Sequence, residues 1–162
     1  MDETMRIGVG VDIHRFCSGD RLMLGGVEIP APYTVQAHSD GDVVLHALCD
    51  ALLGAAALGD IGEHFPDTDA AWRNAPSERF VEEVVALLHK RSYRIVNIDV
   101  SILLESPKIA PYKQAMRQRI AAMCHLSVDA VSIKATTSEQ IGFVGRREGI
   151  AAYCVCLLEE QS

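Results

Sequence analysis

At 162 residues the chain is long enough to enclose one substantial core and short for two, so residues 1–162 read as a single domain. A hydrophobic fraction of 49% and a charged fraction of 23% are those of an ordinary soluble globular protein and exclude a disordered chain or a disulfide scaffold. The net charge of −7 argues against nucleic acid or an anionic membrane as partner, because both need a basic stripe and the cations here form no group larger than a short one such as Lys90-Arg91. Any phosphate ligand must be attracted locally, by metal ions, helix N-termini and a few placed cations.

The N-terminal residues Met1-Asp2-Glu3-Thr4-Met5-Arg6 carry neither the apolar centre of a signal peptide nor the Arg- and Ser-rich character of a transit peptide, so a cytoplasmic location is expected. Arg6 to Phe16 reads as a strand. Leu22 to Ile29 reads as a second extended segment broken by Gly25-Gly26, the mark of a hairpin or bulge. Pro30-Ala31-Pro32 ends regular structure. Ser39 or Asp40 can cap a helix whose apolar positions run from Val43 to about Leu58, where Gly59 stops it. The uncharged stretch Ala51 to Leu58 is the longest apolar run and is too short to cross a bilayer.

Asp60 to Asp69 is an acid-rich loop punctuated by Gly62 and Pro66, of the kind that often serves function. Ser77 to His89 follows as an amphipathic helix, with Ser77 as its cap and Phe80, Val84, Leu87 and Leu88 as its stripe. Ile95 to Leu104 is a strand rich in β-branched residues, Pro111 to Cys124 a helix with Pro near its start, and Val131 to Ala135 and Ile150 to Leu158 two further strands. Cys154 and Cys156 share one face of the last. The five cysteines Cys17, Cys49, Cys124, Cys154 and Cys156 form no C-x-x-C pair, and an odd number cannot all pair within one chain, so reduced thiols are expected. The alternation of strands and helices implies an α/β fold, α+β-like in having two layers, with a mixed β-sheet and helices packed on one face.

One constellation carries chemistry. Asp12 and His14 project from the same face of the first strand, because side chains alternate with period two. In the helix that follows, Asp42, His46 and Asp50 share a face at i, i+4 spacing. A carboxylate and two imidazoles with a fourth position open suit catalytic zinc. Spacing does not choose between His38 and His46 for the second imidazole.

Asp12-x-His14, Ala37-His38-Ser39-Asp40-Gly41-Asp42 with His46, Gly59-Asp60-Ile61-Gly62, Phe65-Pro66-Asp67-Thr68-Asp69, Pro107-Lys108, and Lys134-Ala135-Thr136-Thr137 through Glu139 to Gly142-Phe143 and Gly145-Arg146 occur together and in order. In these blocks the chain resembles the 2-C-methyl-D-erythritol 2,4-cyclodiphosphate synthase family over nearly its whole length. The resemblance implies a homotrimer around a central sheet-lined axis, with active sites at subunit interfaces. It also implies conversion of 4-diphosphocytidyl-2-C-methyl-D-erythritol 2-phosphate to the cyclic diphosphate with release of CMP, in the non-mevalonate route to isoprenoid precursors.

By resemblance Asp12, His14 and His46 hold one Zn2+ per subunit and Glu139 binds a second divalent cation, Mg2+ or Mn2+. His38 and Thr137 act in the transition state. Ser39 joins His38 on the diphosphate, Asp12, Ile13 and His14 also bind substrate, and Thr136 and Ser138 flank Thr137 in a second phosphate-binding patch. Asp60, Ile61 and Gly62 meet the methylerythritol hydroxyls, and Phe65, Pro66, Asp67, Thr68 and Asp69 continue that wall. Leu104, Glu105, Ser106, Pro107, Lys108, Ile109 and Ala110 form the cytidine pocket, although Glu105-Ser106 and Ile109 depart from the commoner family wording. Phe143 and Arg146 fall where family members line the trimer axis. Arg146 suits either an anionic isoprenoid diphosphate there or an ion pair with Glu148. Arg147 stands where glycine is more usual, and Ser138 and Gln140 also depart modestly from the pattern. A zinc-dependent phosphohydrolase built on the same ligands, or a non-catalytic trimer that binds isoprenoid diphosphates, are the alternatives.

Overall fold

The computed structural model describes residues 4–161; Met1 to Glu3, at the head of the segment read above for targeting signals, and Ser162 lie outside the described residues. β1 (Met5–Cys17) is followed by a two-stranded ribbon of β2 (Arg21–Leu24) and β3 (Val27–Pro30). The ribbon turns at Gly25 and Gly26, whose φ values of 59° and 77° are those a two-residue hairpin of type I′ demands. Then come β4 (Thr34–Val35), α1 (Val43–Ala55), α2 (Ile61–His64), α3 (Ser77–Lys90), β5 (Tyr93–Leu103), a 3-10 turn over Ala110–Tyr112, α4 (Lys113–Cys124), β6 (Val131–Thr136), α5 (Gly142–Gly145) and β7 (Gly149–Glu160).

The main sheet has the order β4-β1-β7-β5-β6. It is mixed as expected: among the described strands only β5 and β6 pair in parallel, with α4 between them as the crossover such a pair requires. A single register row runs Asp12, Ala152, Ile102, Ala135 across β1, β7, β5 and β6.

The strand period sets how the layers meet. The even positions of β1 face α1, and two of them are glycine. A Cβ on Gly8 would lie 2.0 Å from the Ala51 carbonyl oxygen and one on Gly10 1.9 Å from that of Ala47. The helix therefore rests on the strand backbone itself, and it presents Ala47, Ala51 and Ala55 to that seam, all buried. Leu45, Leu48, Leu52 and Leu53 fill the space around the seam, in one hydrophobic cluster with Val84 and Leu88 of α3, Met116 and Ile120 of α4, and Ile98 and Ile102 of β5. The odd positions of β1 point the other way. Ile7 is 73% and Val9 64% exposed, and Val11, Ile13, Tyr153 and Val155 continue the same uncovered apolar face.

Three helix starts differ from expectation. Gly41, at φ 70°, turns the chain, so Asp42 rather than Ser39 or Asp40 becomes the cap of α1 and accepts from Leu45 N–H at 3.0 Å. Pro76, not Ser77, occupies the cap position of α3, and its stripe is Phe80, Val81, Val84, Val85 and Leu88, with Leu87 only partly buried. α4 begins at Lys113 because Pro111 sits in the preceding 3-10 turn. Cys17 is exposed and the other four cysteines are free and buried, where burial pushes the Cys124 and Cys156 thiols up to about 12. No helix among the described residues is long and apolar enough to cross a membrane.

Substituting Gly10→Ala should cost at least the 1–3 kcal/mol typical of overpacking, read as a lower midpoint in urea. Gly54→Ala is the contrasting case, since its Cβ would meet only Val9 O at 3.9 Å. That change, in the last turn of α1, should add at most ~1 kcal/mol.

Candidate functional site: a metal-ready triad at the floor of a cleft

Beyond Gly10 the even face of β1 continues with Asp12 and His14, and His46 projects from the first turn of α1 toward them. Asp12 Oδ2 lies 3.0 Å from His14 Nε2 and 3.3 Å from His46 Nδ1, and the two ring nitrogens are 3.4 Å apart. The three ligand atoms all lie within 4.8 Å of one another. Among the described residues Asp12 Oδ2 nevertheless has no aligned hydrogen-bond partner, although the atom is buried: its ion-pair contacts with the two rings are close without being aligned. That is the arrangement of groups aimed at a shared centre, and one carboxylate oxygen with two imidazole nitrogens fits a divalent cation with a position left open. Burial pushes the Asp12 carboxyl up, but the two imidazoles outweigh it and hold the group at about 2.

Of the two histidines that spacing left open, the structure brings His46 to the triad and leaves His38 at the rim. Asp42 and Asp50 do not join the ligand set. Asp42 is fully buried and accepts from Gly25 N–H at 2.9 Å, Gly26 N–H at 2.8 Å and Leu45 N–H, which ties the hairpin turn to the start of α1. Burial pushes its carboxyl up to about 6 despite those donors. Asp50 accepts from Ile61 N–H at 2.8 Å and so fixes the entry to α2.

Above the triad opens a cleft of about 890 Å³, lined among others by His14, His38, Ser39, His46, Ile61, Gly62, Phe65 and Asp67. Asp60 stands just outside this lining as the cap of α2, accepting from Glu63 N–H at 3.0 Å. Asp69 turns back on Ala71 N–H at 2.9 Å, and Pro66 and Thr68 are exposed beside it. The cleft also takes residues that sequence reasoning did not place there: Gln36, Ala37, Trp72, Arg73, Asn74 and Phe80. Phe65, Trp72 and Phe80 pack with ring centroids 4.6 to 5.6 Å apart and form an apolar wall. Asn74 N–H donates to His38 O at 3.2 Å, pinning the Arg73 loop to the His38 segment. A solitary Trp-Arg pair in an otherwise small and polar stretch was the available signal.

The remaining residues expected at the site lie elsewhere. Thr136 ends β6, three strands from β1 in the register row, roughly 14 Å away at the usual strand spacing. Leu104 N–H donates to Thr136 O at 3.0 Å, so the 104–110 segment and the Thr136–Glu139 loop form one group at that edge. Glu105 holds the two together. Its Oε1 accepts from Ser138 N–H at 3.0 Å, Ser138 Oγ–H at 3.2 Å and Gln140 N–H at 3.2 Å, across a turn in which Glu139 and Gln140 both have positive φ. Burial raises the Glu105 carboxyl, but these donors outweigh it and lower it overall. Ser106 accepts from Tyr33 Oη–H through its carbonyl, and its hydroxyl lies 3.0 Å from the same atom; Pro107 and Ile109 are partly or fully covered, while Lys108 and Ala110 are exposed. Phe143 is exposed, and Arg146 pairs with Glu148 at 2.8 Å, the second of the two roles open to it.

The triad makes a direct expectation for metal content. The wild-type chain should retain one divalent ion through gel filtration, His46→Ala none, and His38→Ala as much as wild type, by elemental analysis. Equal loss in both variants would place His38 in the ligand set.

The YgbB family model matches residues 5–159. The chain is 54% identical over 155 residues to the 2-C-methyl-D-erythritol 2,4-cyclodiphosphate synthase of Chlorobaculum tepidum, covering 96% of this chain and 99% of that one. With its counterpart in Chloroherpeton thalassium it shares 56% over 156 residues, again 96% and 99%. Among solved structures, the IspF protein of Plasmodium falciparum as its CDP complex superposes with a TM-score of 0.87 at 31% identity, covering all of both chains. The bifunctional IspDF protein of Campylobacter jejuni superposes with a TM-score of 0.95 at 40% identity over 99% of this chain, which spans 44% of that longer one. On sequence over nearly its full length and on fold, the chain belongs to the family of 2-C-methyl-D-erythritol 2,4-cyclodiphosphate synthases.

Proposed function

We propose that this chain, as a single domain, converts 4-diphosphocytidyl-2-C-methyl-D-erythritol 2-phosphate to 2-C-methyl-D-erythritol 2,4-cyclodiphosphate and CMP, a step toward isoprenoid precursors. The observation that carries the reading is the buried Asp12 Oδ2 converging with His14 and His46 on the floor of a cleft, in a member of this family. An oxygen of the 2-phosphate forms the new bond to the β-phosphorus, the bond from that phosphorus to the CMP oxygen breaks, and CMP leaves with the electron pair. No water is consumed.

Asp12, His14 and His46 hold Zn2+, which when bound orients the diphosphate and withdraws charge from it. The protein's own groups do the rest. His38 and Ser39 at the cleft mouth donate to phosphate oxygens, and Arg73 adds a local cation against the overall negative charge of the chain. Ile61, Gly62 and Asp67, beside Asp60, receive the polyol, and the Phe65, Trp72, Phe80 wall keeps water off the reacting atoms. Thr137 stabilises the transition state and Glu139 holds Mg2+ or Mn2+, while the 104–110 segment reads the cytosine through backbone groups.

In their own chain the Thr136–Glu139 loop follows β6, three strands from the triad, and the 104–110 segment follows β5, two strands from it. A second copy must therefore bring its Thr136–Glu139 loop to this cleft. The uncovered face of Ile7, Val9, Val11, Ile13, Tyr153 and Val155 supplies the apolar surface for such an assembly, and a homotrimer with sites between subunits satisfies both demands. The proposed location is cytoplasmic.

Incubating the chain with this substrate and divalent metal should release CMP without inorganic phosphate; stoichiometric phosphate release would establish a phosphohydrolase instead. Sedimentation should give three times 17.6 kDa. Val9→Glu should sediment as a monomer that keeps its metal but has lost turnover, and a fully active monomer would sink the interface reading.

A further inference from the structure

His46 faces the triad with Nδ1 and turns Nε2 away, 2.8 Å from Ser77 Oγ and 3.2 Å from Ser39 Oγ. A neutral imidazole has one N–H and one lone pair, so Nδ1 can meet a cation only if the proton sits on Nε2. Asp12 Oδ2 lies 3.3 Å from Nδ1 without an aligned hydrogen bond to it, so Ser77, at 2.8 Å from Nε2, decides where it sits. The residue is fully buried, and its hydroxyl touches two groups, His46 Nε2 and Asp40 Oδ1. A carboxylate has no proton to give. The Ser77 hydroxyl hydrogen therefore goes to Asp40, and its oxygen can only accept from His46 Nε2–H.

Asp40 is itself fixed by backbone. Its Oδ2 accepts from Ser77 N–H at 3.0 Å and its Oδ1 from Asp42 N–H at 3.1 Å, so the carboxylate is anchored to the first residue of α3 and the cap of α1 together. We propose that Asp40 and Ser77 are positioning residues: they hold His46 as its Nε2–H tautomer, so that the Nδ1 lone pair is presented to the metal before the metal arrives. The inference rests on reading Asp12, His14 and His46 as a metal site.

A division of labour between the two serines follows. Ser39 accepts from Gly41 N–H at 3.3 Å and lines the cleft. With Ser77 fixing the imidazole, the Ser39 hydroxyl hydrogen is left for an anion in the cleft. Ser77 cannot take that part, because its own hydrogen is committed to Asp40.

Two measurements test this. In long-range 1H–15N spectra of the metal-free wild-type protein, at a pH where the imidazole is neutral, His46 Nε2 should resonate as a protonated nitrogen and Nδ1 as an unprotonated one. In competition with a chromophoric chelator, Ser77→Ala should bind Zn2+ about 10–100-fold more weakly than wild type, the usual effect of losing a partner behind a ligand, and Ser77→Thr should restore most of the loss. In Ser77→Ala the tautomers should mix, because Ser39 alone can donate as well as accept. A wild-type His46 protonated on Nδ1, or Ser77→Ala binding Zn2+ as tightly as wild type, overturns the proposal. Should Ser77→Ala not fold, the wild-type spectrum decides. A wild type that takes up no Zn2+ removes the metal reading instead, a failure told apart by the tautomer spectrum, which needs no metal.

Discussion

The closeness of α1 to β1 governs the rest of the molecule. Helix and strand touch backbone to backbone because Gly8 and Gly10 offer no side chain where Ala47, Ala51 and Ala55 come down. Such contact is available only to the smallest residues, and its tolerance is small: a methyl group on either glycine would overlap a helix carbonyl. The same strand face then changes character. Where the helix bears on the strand it is Gly, and one pair further on, where the helix begins, it is Asp12 and His14. His46 thus reaches its two partners at 3.3 and 3.4 Å because the seam sets the height of the helix, and any lift of α1 opens the triad.

Around this seam three acids with identical side chains hold three different positions. Asp42 meets only backbone N–H groups in full burial and its carboxyl rises to about 6. Asp12 meets two imidazoles and falls to about 2. Asp40 anchors Ser77 through both its oxygens. Environment rather than residue type assigns the roles: one acid joins the hairpin to the helix, one faces the candidate metal site and one, as proposed, orients the histidine between them. Carboxylates placed so close together suit a region whose charge is completed by a cation.

The fold was legible wherever one element carried its own period. Alternation placed β1, β5, β6 and β7 within a few residues of their true ends, and i, i+4 spacing found α1. Asp12 and His14 were visible for the same reason. What could not be read were meetings between distant segments. Ser77 looks like a cap because serine before an amphipathic run usually is one; only the fold shows Pro76 in that place and the hydroxyl turned to a histidine 31 positions away. Asp42 and Asp50 matched His46 in helical spacing, yet the hairpin and α2 claim them. Glu105 read as part of a nucleotide pocket, while its carboxylate is spent on Ser138 and Gln140. Trp72 and Arg73 gave no periodic signal, being in a loop whose path is set by Asn74 and His38.

The separation of the two halves of the site has a mechanical sense. The metal half is built from β1 and α1 alone, so it can be complete in an isolated chain. The half that carries Thr137, Glu139 and the 104–110 segment is fastened to the far edge of the same sheet by Glu105 and by the Leu104–Thr136 bond. A rigid sheet cannot bend to close ~14 Å between them. In the proposed function the two halves meet on one diphosphate only by coming from different copies, and the odd face of β1, apolar and uncovered, lies on the very strand whose even face carries the triad. In the proposed trimer, covering that face and completing the cleft are then a single event. On that proposal metal loading belongs to one chain, and chemistry to the assembly.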